Sequence, residues 1–213
     1  MDTVYWGRGF GLMVIKDAFR NKILWYKFVR NETVAGYLEG VGWLRDNGFT
    51  IRGIVCDGLG GLFSALGKYR VQMCQFHQAM IVRRYLTSKP ELPAAIELMD
   101  ITNMLAHTDK ESFIGMLDDW SERWTSFMGE RSLDLRTGKT SYTHKRLRSA
   151  YLSLRRNMPW LWTHYDYPEL HIPNTNNALE GVFTDIKTKL RVHSGISKQR
   201  RIAMIQELIA RRY

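Results

Sequence analysis

The sequence predicts an α/β fold: a mixed five-stranded sheet flanked by helices, with an all-helical insertion before the last helices. Three observations carry this. Residues 2–29 hold three β-rich runs separated by turn residues, the pattern of an antiparallel meander. Residues 31–90 alternate helical and strand-like runs, as crossover connections require. From Glu91 to about Pro173 helical periodicity dominates and no convincing strand is found. The expected division is therefore 1–90 as the first part of a core, 91–173 as the insertion, and 174–213 as helices that complete the core.

The elements follow in order. Asp2 to Trp6 reads as the end of a strand, Gly7-Arg8-Gly9 as a turn, Phe10 to Ile15 as a second strand, and Ile23 to Val29 as a third. Asn31 is the expected N-cap of a helix, with Glu32 in the first turn where the dipole favours an acid. Val34, Leu38, Val41 and Leu44 give it an apolar face, and Asn47-Gly48 stops it. Ile51 to Cys56 is a short apolar run that ends in one carboxylate, Asp57, and a glycine turn. That is how a buried strand delivers an acid to the edge of a sheet. Leu59 to Leu66 is a short helix, Val71 to Cys74 a fifth strand, and Gln78 to Leu86 a helix.

In the insertion, Thr108 and Glu111 form a capping-box pair. Their helix aligns Phe113, Met116, Leu117, Trp120, Trp124 and Phe127, a face expected to be core rather than a platform for stacked bases. Lys139 to Lys145 reads as a polar loop, and Lys145 to Asn157 as a helix ending before Pro159. Pro159 to Pro173 is an irregular return. A helix from about Asn176 to Val192 follows. The last one begins at Ser197 or Lys198, with Ile202, Ile205, Leu208 and Ile209 inward.

The net charge is +10 and unevenly placed. Arg131 to Arg156 and Lys187 to Tyr213 each hold eight Lys/Arg and one acid. At +7 each they exceed the charge of the whole chain, so the remainder is net acidic. Two basic arms on an acidic body fit a polyanion as partner. Candidate phosphate contacts are Arg146, Arg148, Lys187, Lys189, Arg191, Lys198, Arg200 and Arg201. No run reaches the 18 or so apolar residues of a membrane helix, and no signal peptide is expected. The two cysteines, Cys56 and Cys74, give no disulfide framework and suggest a reducing compartment.

Asp2, Asp57 and Glu180 each stand where an element presents a side chain at one end of the sheet. Converging carboxylates repel at neutral pH unless a cation joins them. Mg²⁺ takes oxygen ligands, and two such ions can clamp both oxygens of an in-line phosphoryl transfer. Asn176 and Asn177 lie within one turn of Glu180, either to orient it or simply to cap the helix. Cys74 and His77 are too few for a zinc site of their own, and packing at a strand end is the plain reading of the pair.

The opening DTVYWGR, the strand end IVCDG, the CQFH at Cys74 to His77 and the run NTNNALEGVFTDIKTKLRVHSG together resemble the catalytic domain of DDE transposases. The likeness is to the Mutator-like and related bacterial insertion-sequence type, with a ribonuclease H-like fold, and it covers nearly the whole chain. CQFH resembles the C/D-x-x-H signature of these families, which implies a supporting role for Cys74 and His77 near the active site. The resemblance implies Asp2, Asp57 and Glu180, rather than Asp185, as catalytic acids and metal ligands. It implies two Mg²⁺ or Mn²⁺ ions, DNA element ends and target DNA as partners, and a homo-oligomer assembled on DNA. It also implies a bacterial cytoplasmic, nucleoid-associated setting. With one residue ahead of Asp2, the chain is expected to be a core cut at its N-terminus. Alternatives are a transposase-derived DNA-binding protein without catalysis, or a ribonuclease H-like nuclease.

Overall fold

The structure, a computed structural model, describes residues 1–193 and 195–212. It is a mixed α/β chain. The elements run β1 (Asp2–Tyr5), β2 (Gly11–Asp17), β3 (Lys22–Val29), α1 (Val34–Asp46), β4 (Ile54–Cys56), α2 (Leu62–Ala65), β5 (Val71–Met73) and α3 (Gln75–Leu86). Then come α4 (Pro93–Met104), α5 (Lys110–Gly129), β6 (Arg131–Leu133), β7 (Thr140–Tyr142), α6 (Lys145–Leu161) and α7 (Thr163–Asp166). The chain closes with α8 (Asn177–Val192) and α9 (Lys198–Arg212). It divides into two compact units, residues 1–71 with 175–213, and residues 72–174. No helix among the described residues is long and apolar enough to cross a membrane.

The first unit is built on β2. Its residues Gly11 to Ile15 are all buried, because helices cover both faces of the sheet. Even-numbered Leu12 and Val14 join Val4, Leu179, Val182, Phe183, Ile186, Ile205 and Ile209 in one core, so α8 and α9 pack there. Odd-numbered Met13 and Ile15 face α1. A Cβ on Gly40 would come within 2.7 Å of both Ile15 and Trp25, so only glycine lets the helix approach this closely. A strand covered on both faces reads as a continuous apolar run, as this one does.

β1, β2 and β3 form the expected antiparallel meander. The five strands expected as one sheet are hydrogen-bonded as two sets, β1-β2-β3 and β4-β5. β4 starts at Ile54 rather than Ile51, behind Gly53, which has no side chain to pack. The Met1 ammonium donates to the Val55 carbonyl at 2.7 Å, so β1 and β4 approach each other at that point.

The second unit holds α3 to α7 and a hairpin. α3, read from the sequence as part of the first core, packs on α6 instead. Gln78 is fully buried, donates to the Ser153 hydroxyl at 3.0 Å and accepts from Asn157 at 2.7 Å. The segment is not all-helical: β6 and β7 form a two-stranded sheet, with β7 inside the Lys139 to Lys145 stretch expected as a polar loop. α6 also runs through Pro159 to Leu161. Burial of Leu161 and Trp162 holds that last turn against the missing proline N–H.

Candidate metal centre

The register of β1 on β2 fixes where Asp2 points. Asp2 pairs with Val14 and Val4 with Leu12, so Asp2 shares the face covered by α8. It is only 5% exposed. A buried carboxylate must be compensated. The Thr3 N–H donates to Asp2 Oδ1 at 2.7 Å, and Asn176 Nδ2 donates to Oδ2 at 3.4 Å and to the Met1 carbonyl at 3.2 Å. Asn176 is the N-cap residue of α8, but its side chain makes no capping bond. The sequence left two roles open for this residue, orienting Glu180 and capping the helix. Its side chain reaches Asp2, not the helix. Asn177, the first residue of α8, is exposed.

Asp57 follows β4 directly and is half-buried. Its Oδ1 is buried and has no hydrogen-bond partner among the described residues. One oxygen each from Asp2, Glu32 and Asp57 lies within 4.8 Å of the others. Glu180, in the first turn of α8, also offers an oxygen within 4.8 Å of Asp2. That turn is tied to the sheet by Lys16, whose Nζ donates to the Ala178 carbonyl at 2.9 Å; burial lowers the Lys16 pKa. The three acids expected from sequence thus meet through Asp2.

Glu32 is the member that sequence reasoning missed. It was expected inside the helix, capped by Asn31. Thr33 caps α1 instead, its hydroxyl accepting from the Gly36 N–H at 3.1 Å. Glu32 is therefore left ahead of the helix, where two tyrosines hold it. Its N–H donates to the Tyr5 hydroxyl, and its carboxylate accepts from the fully buried Tyr37 hydroxyl. Burial, followed by the negative Glu32, pushes the Tyr37 phenol far above its ordinary value. Burial, and the charges of Glu32 and Asp57, raise Tyr5 as well, against the opposing Glu32 N–H. Only the alternation of β1, which turns Thr3 toward α1 and Asp2 away from it, brings these groups together. No local sequence motif encodes it.

Two like charges at about 4 Å repel by roughly 1 kcal/mol in water and about 4 kcal/mol at the effective dielectric of a protein surface. Several such pairs in one place favour a cation. Asp2, Glu32, Asp57 and Glu180 offer carboxylate oxygens, which suit a hard ion such as Mg²⁺ or Mn²⁺. The Asp57 oxygen, buried without a hydrogen bond, fits a ligand role.

Cys74 and His77 lie in the second unit at the start of α3. Cys74 is buried at the N-cap position, and Cys56 and Cys74 form no disulfide. His77 is half-buried, its ring edge-on to the exposed Phe76 at 5.7 Å. Trp120 is core, as expected, with its indole N–H donating to the Ala94 carbonyl at 2.9 Å.

Of the basic candidates in the first unit, Lys187, Arg191, Lys198 and Arg200 are exposed. Lys189 is paired with Asp185 at 2.5 Å, and Arg201 is half-buried. In the second unit, Arg146 donates to the Arg84 carbonyl at 2.8 Å, and Arg148 stacks on Tyr142 at 3.7 Å. Comparison with protein-family models, curated proteins and solved structures finds no match to this chain.

Proposed function

We propose that the chain is the catalytic core of a metal-dependent transposase of the DDE type, with a ribonuclease H-like arrangement of β1 to β5. It would cut DNA strands and join the freed 3′-hydroxyl to target DNA. The observation that carries the reading is the meeting of acids at Asp2. An Asp2 oxygen lies within 4.8 Å of Asp57 and of Glu32, and one lies within 4.8 Å of Glu180. Asp2, Asp57 and Glu180 come from three separated stretches of sequence, and a hydrophobic core alone gives no reason for them to meet.

Asp2, Asp57 and Glu180 would hold two Mg²⁺ or Mn²⁺ ions. Such ions supply charge stabilisation to the attacking and leaving oxygens of an in-line displacement. The protein's part is to fix the acids. Thr3 and Asn176 orient Asp2, Tyr37 orients Glu32, and Lys16 anchors the helix turn that presents Glu180. The exposed cations of α8 and α9 would meet the DNA backbone. The partner DNA would be element ends and target, bound by an oligomer that pairs two active sites.

The test is strand cleavage and strand transfer with a supercoiled plasmid and an oligonucleotide carrying a free 3′-hydroxyl, with Mn²⁺ or Mg²⁺. Nicking and joining that need the metal, and that vanish in Asp2→Asn, Asp57→Asn and Glu180→Gln, are expected. Cleavage that survives Asp57→Asn would refute the site. DNA binding with no cleavage under any metal condition would leave a non-catalytic DNA-binding protein.

A further inference from the structure

The hairpin of the second unit holds a leucine in water on a tightly bonded turn. Leu133 and Thr140 are its last pair, and residues 134–139 close it. The Asp134 carbonyl accepts from the Thr137 and Gly138 N–H groups at 3.2 and 2.8 Å. The Asp134 N–H donates to the Lys139 carbonyl at 3.0 Å, and its carboxylate accepts from the Arg136 N–H at 2.9 Å. Gly138 sits at φ +67°, a conformation that suits glycine. At the base, the Ser132 and Thr143 hydroxyls meet at 2.7 Å. There the Tyr142 ring takes the Arg131 and Arg148 guanidiniums at 4.5 and 3.7 Å.

Residues 129–140 are all exposed. Leu135 occupies the first central position of the turn and is 90% exposed, with Leu133 at 56%. Leaving a leucine in water forgoes the gain of burying it. A lone exposed leucine is ordinary. This one differs in its setting. Arg136 and Lys139 flank it, and the one acid of the tip, Asp134, is engaged in bonding the turn.

We propose that the tip is a wedge for duplex DNA: Leu135 enters the minor groove and presses on a base step, while Arg136 and Lys139 meet the flanking phosphates. Apolar wedges set among cations unstack and bend DNA in this way. The chemistry favours DNA over the other occupants. A stable protein interface buries about 1,200–2,000 Å², far more than one turn offers. A membrane anchor needs a broader apolar face than two leucines. The proposal deepens the DNA reading above and rests on it for the partner, but it makes no use of the acids.

The experiment measures anisotropy of a fluorescein-labelled mixed-sequence duplex and bending by energy transfer between its ends. It uses the full chain and its Leu135→Ala and Leu135→Asp variants. At 90% exposure neither change should disturb folding, which circular dichroism checks. The parent is expected to bind and bend. Leu135→Ala keeps most affinity but loses the bend, and Leu135→Asp weakens binding about tenfold or more. Unchanged binding and bending by Leu135→Asp would overturn the wedge, as would a parent that does not bind the duplex. So would Leu135-dependent binding to phosphatidylglycerol vesicles with DNA binding indifferent to Leu135. Cleavage is scored separately with Asp57→Ala. Bending that persists while no cleavage is found defeats the catalytic reading and leaves the wedge standing.

Discussion

The Tyr37 hydroxyl donates to the Glu32 carboxylate, and the Thr3 hydroxyl reaches the same Tyr37 oxygen at 2.9 Å. A carboxylate only accepts, so the single phenolic proton goes to Glu32 and Thr3 donates to Tyr37. The relay runs from β1 through α1 to the acids. Tyr37→Phe removes its centre and leaves two partners unsatisfied. A loss of about 1–3 kcal/mol in urea unfolding is expected. The pH dependence has a definite sign. The folded-state pKa of Tyr37 is raised, so its contribution is whole below about pH 10, the unfolded value, and is lost as pH rises beyond it. The parent should therefore lose stability more steeply above pH 10 than Tyr37→Phe. Parallel slopes would show that the phenol is not held neutral by its burial beside Glu32.

Glu32→Gln tests the fourth acid without breaking the relay, because the amide oxygen still accepts from Tyr37. It removes one charge from within 4.8 Å of Asp2 and Asp57. Without metal the variant should be more stable than the parent by about 1 kcal/mol, or roughly 2–4 °C in Tm. With Mg²⁺ or Mn²⁺ the order should narrow or reverse. An ion at tenfold its Kd stabilises the parent by about 1.4 kcal/mol, and the variant should gain less. Equal metal responses in a melting titration would place Glu32 outside the ion site.

What was legible in the sequence follows the strength of each local signal. The apolar run of β2 could be read because both faces of the strand are covered, so no polar residue interrupts it. Asp57 could be read because it ends such a run. The hairpin could not: Arg131-Ser132-Leu133 and Thr140-Ser141-Tyr142 are too short and too polar to alternate, and turn bonds hold them. The cap of α1 was misplaced because Asn31 and Thr33 both suit an N-cap. That small shift hid Glu32, whose neighbours are set by strand register and not by spacing. Pro159 was overrated as a stop, since burial of Leu161 and Trp162 outweighs it.

His164 gives the second unit an acid-sensitive contact. Its N–H donates to the buried Gln72 Oε1 at 2.9 Å, and its ring Nδ1 lies 3.2 Å from the same oxygen. Burial lowers its pKa, against the opposing charge of Asp166. A lowered folded pKa means the unfolded chain takes the proton first. The contribution is present above about pH 6.5 and is lost as pH falls through the lower folded value. His164→Asn should therefore lessen the fall in stability between neutral and mildly acidic pH, read from urea midpoints. An unchanged acid slope would show that other groups set it.

The basic face of α8 and α9 makes the sharpest contrast. Lys187 and Arg191 are exposed, whereas Lys189 is held by Asp185, which Arg212 also approaches at 3.7 Å. A cation that meets a phosphate releases a counterion and adds about 0.9 to the slope of log affinity against log salt. Lys187→Ala and Arg191→Ala should each lower that slope by nearly this amount. Lys189→Ala should change it less, because its charge is already matched by Asp185. The measurement is duplex binding across a salt series. A slope unmoved by all three substitutions would mean that α8 does not meet the DNA backbone, and equal losses from all three would mean that the Lys189–Asp185 pair opens when DNA binds.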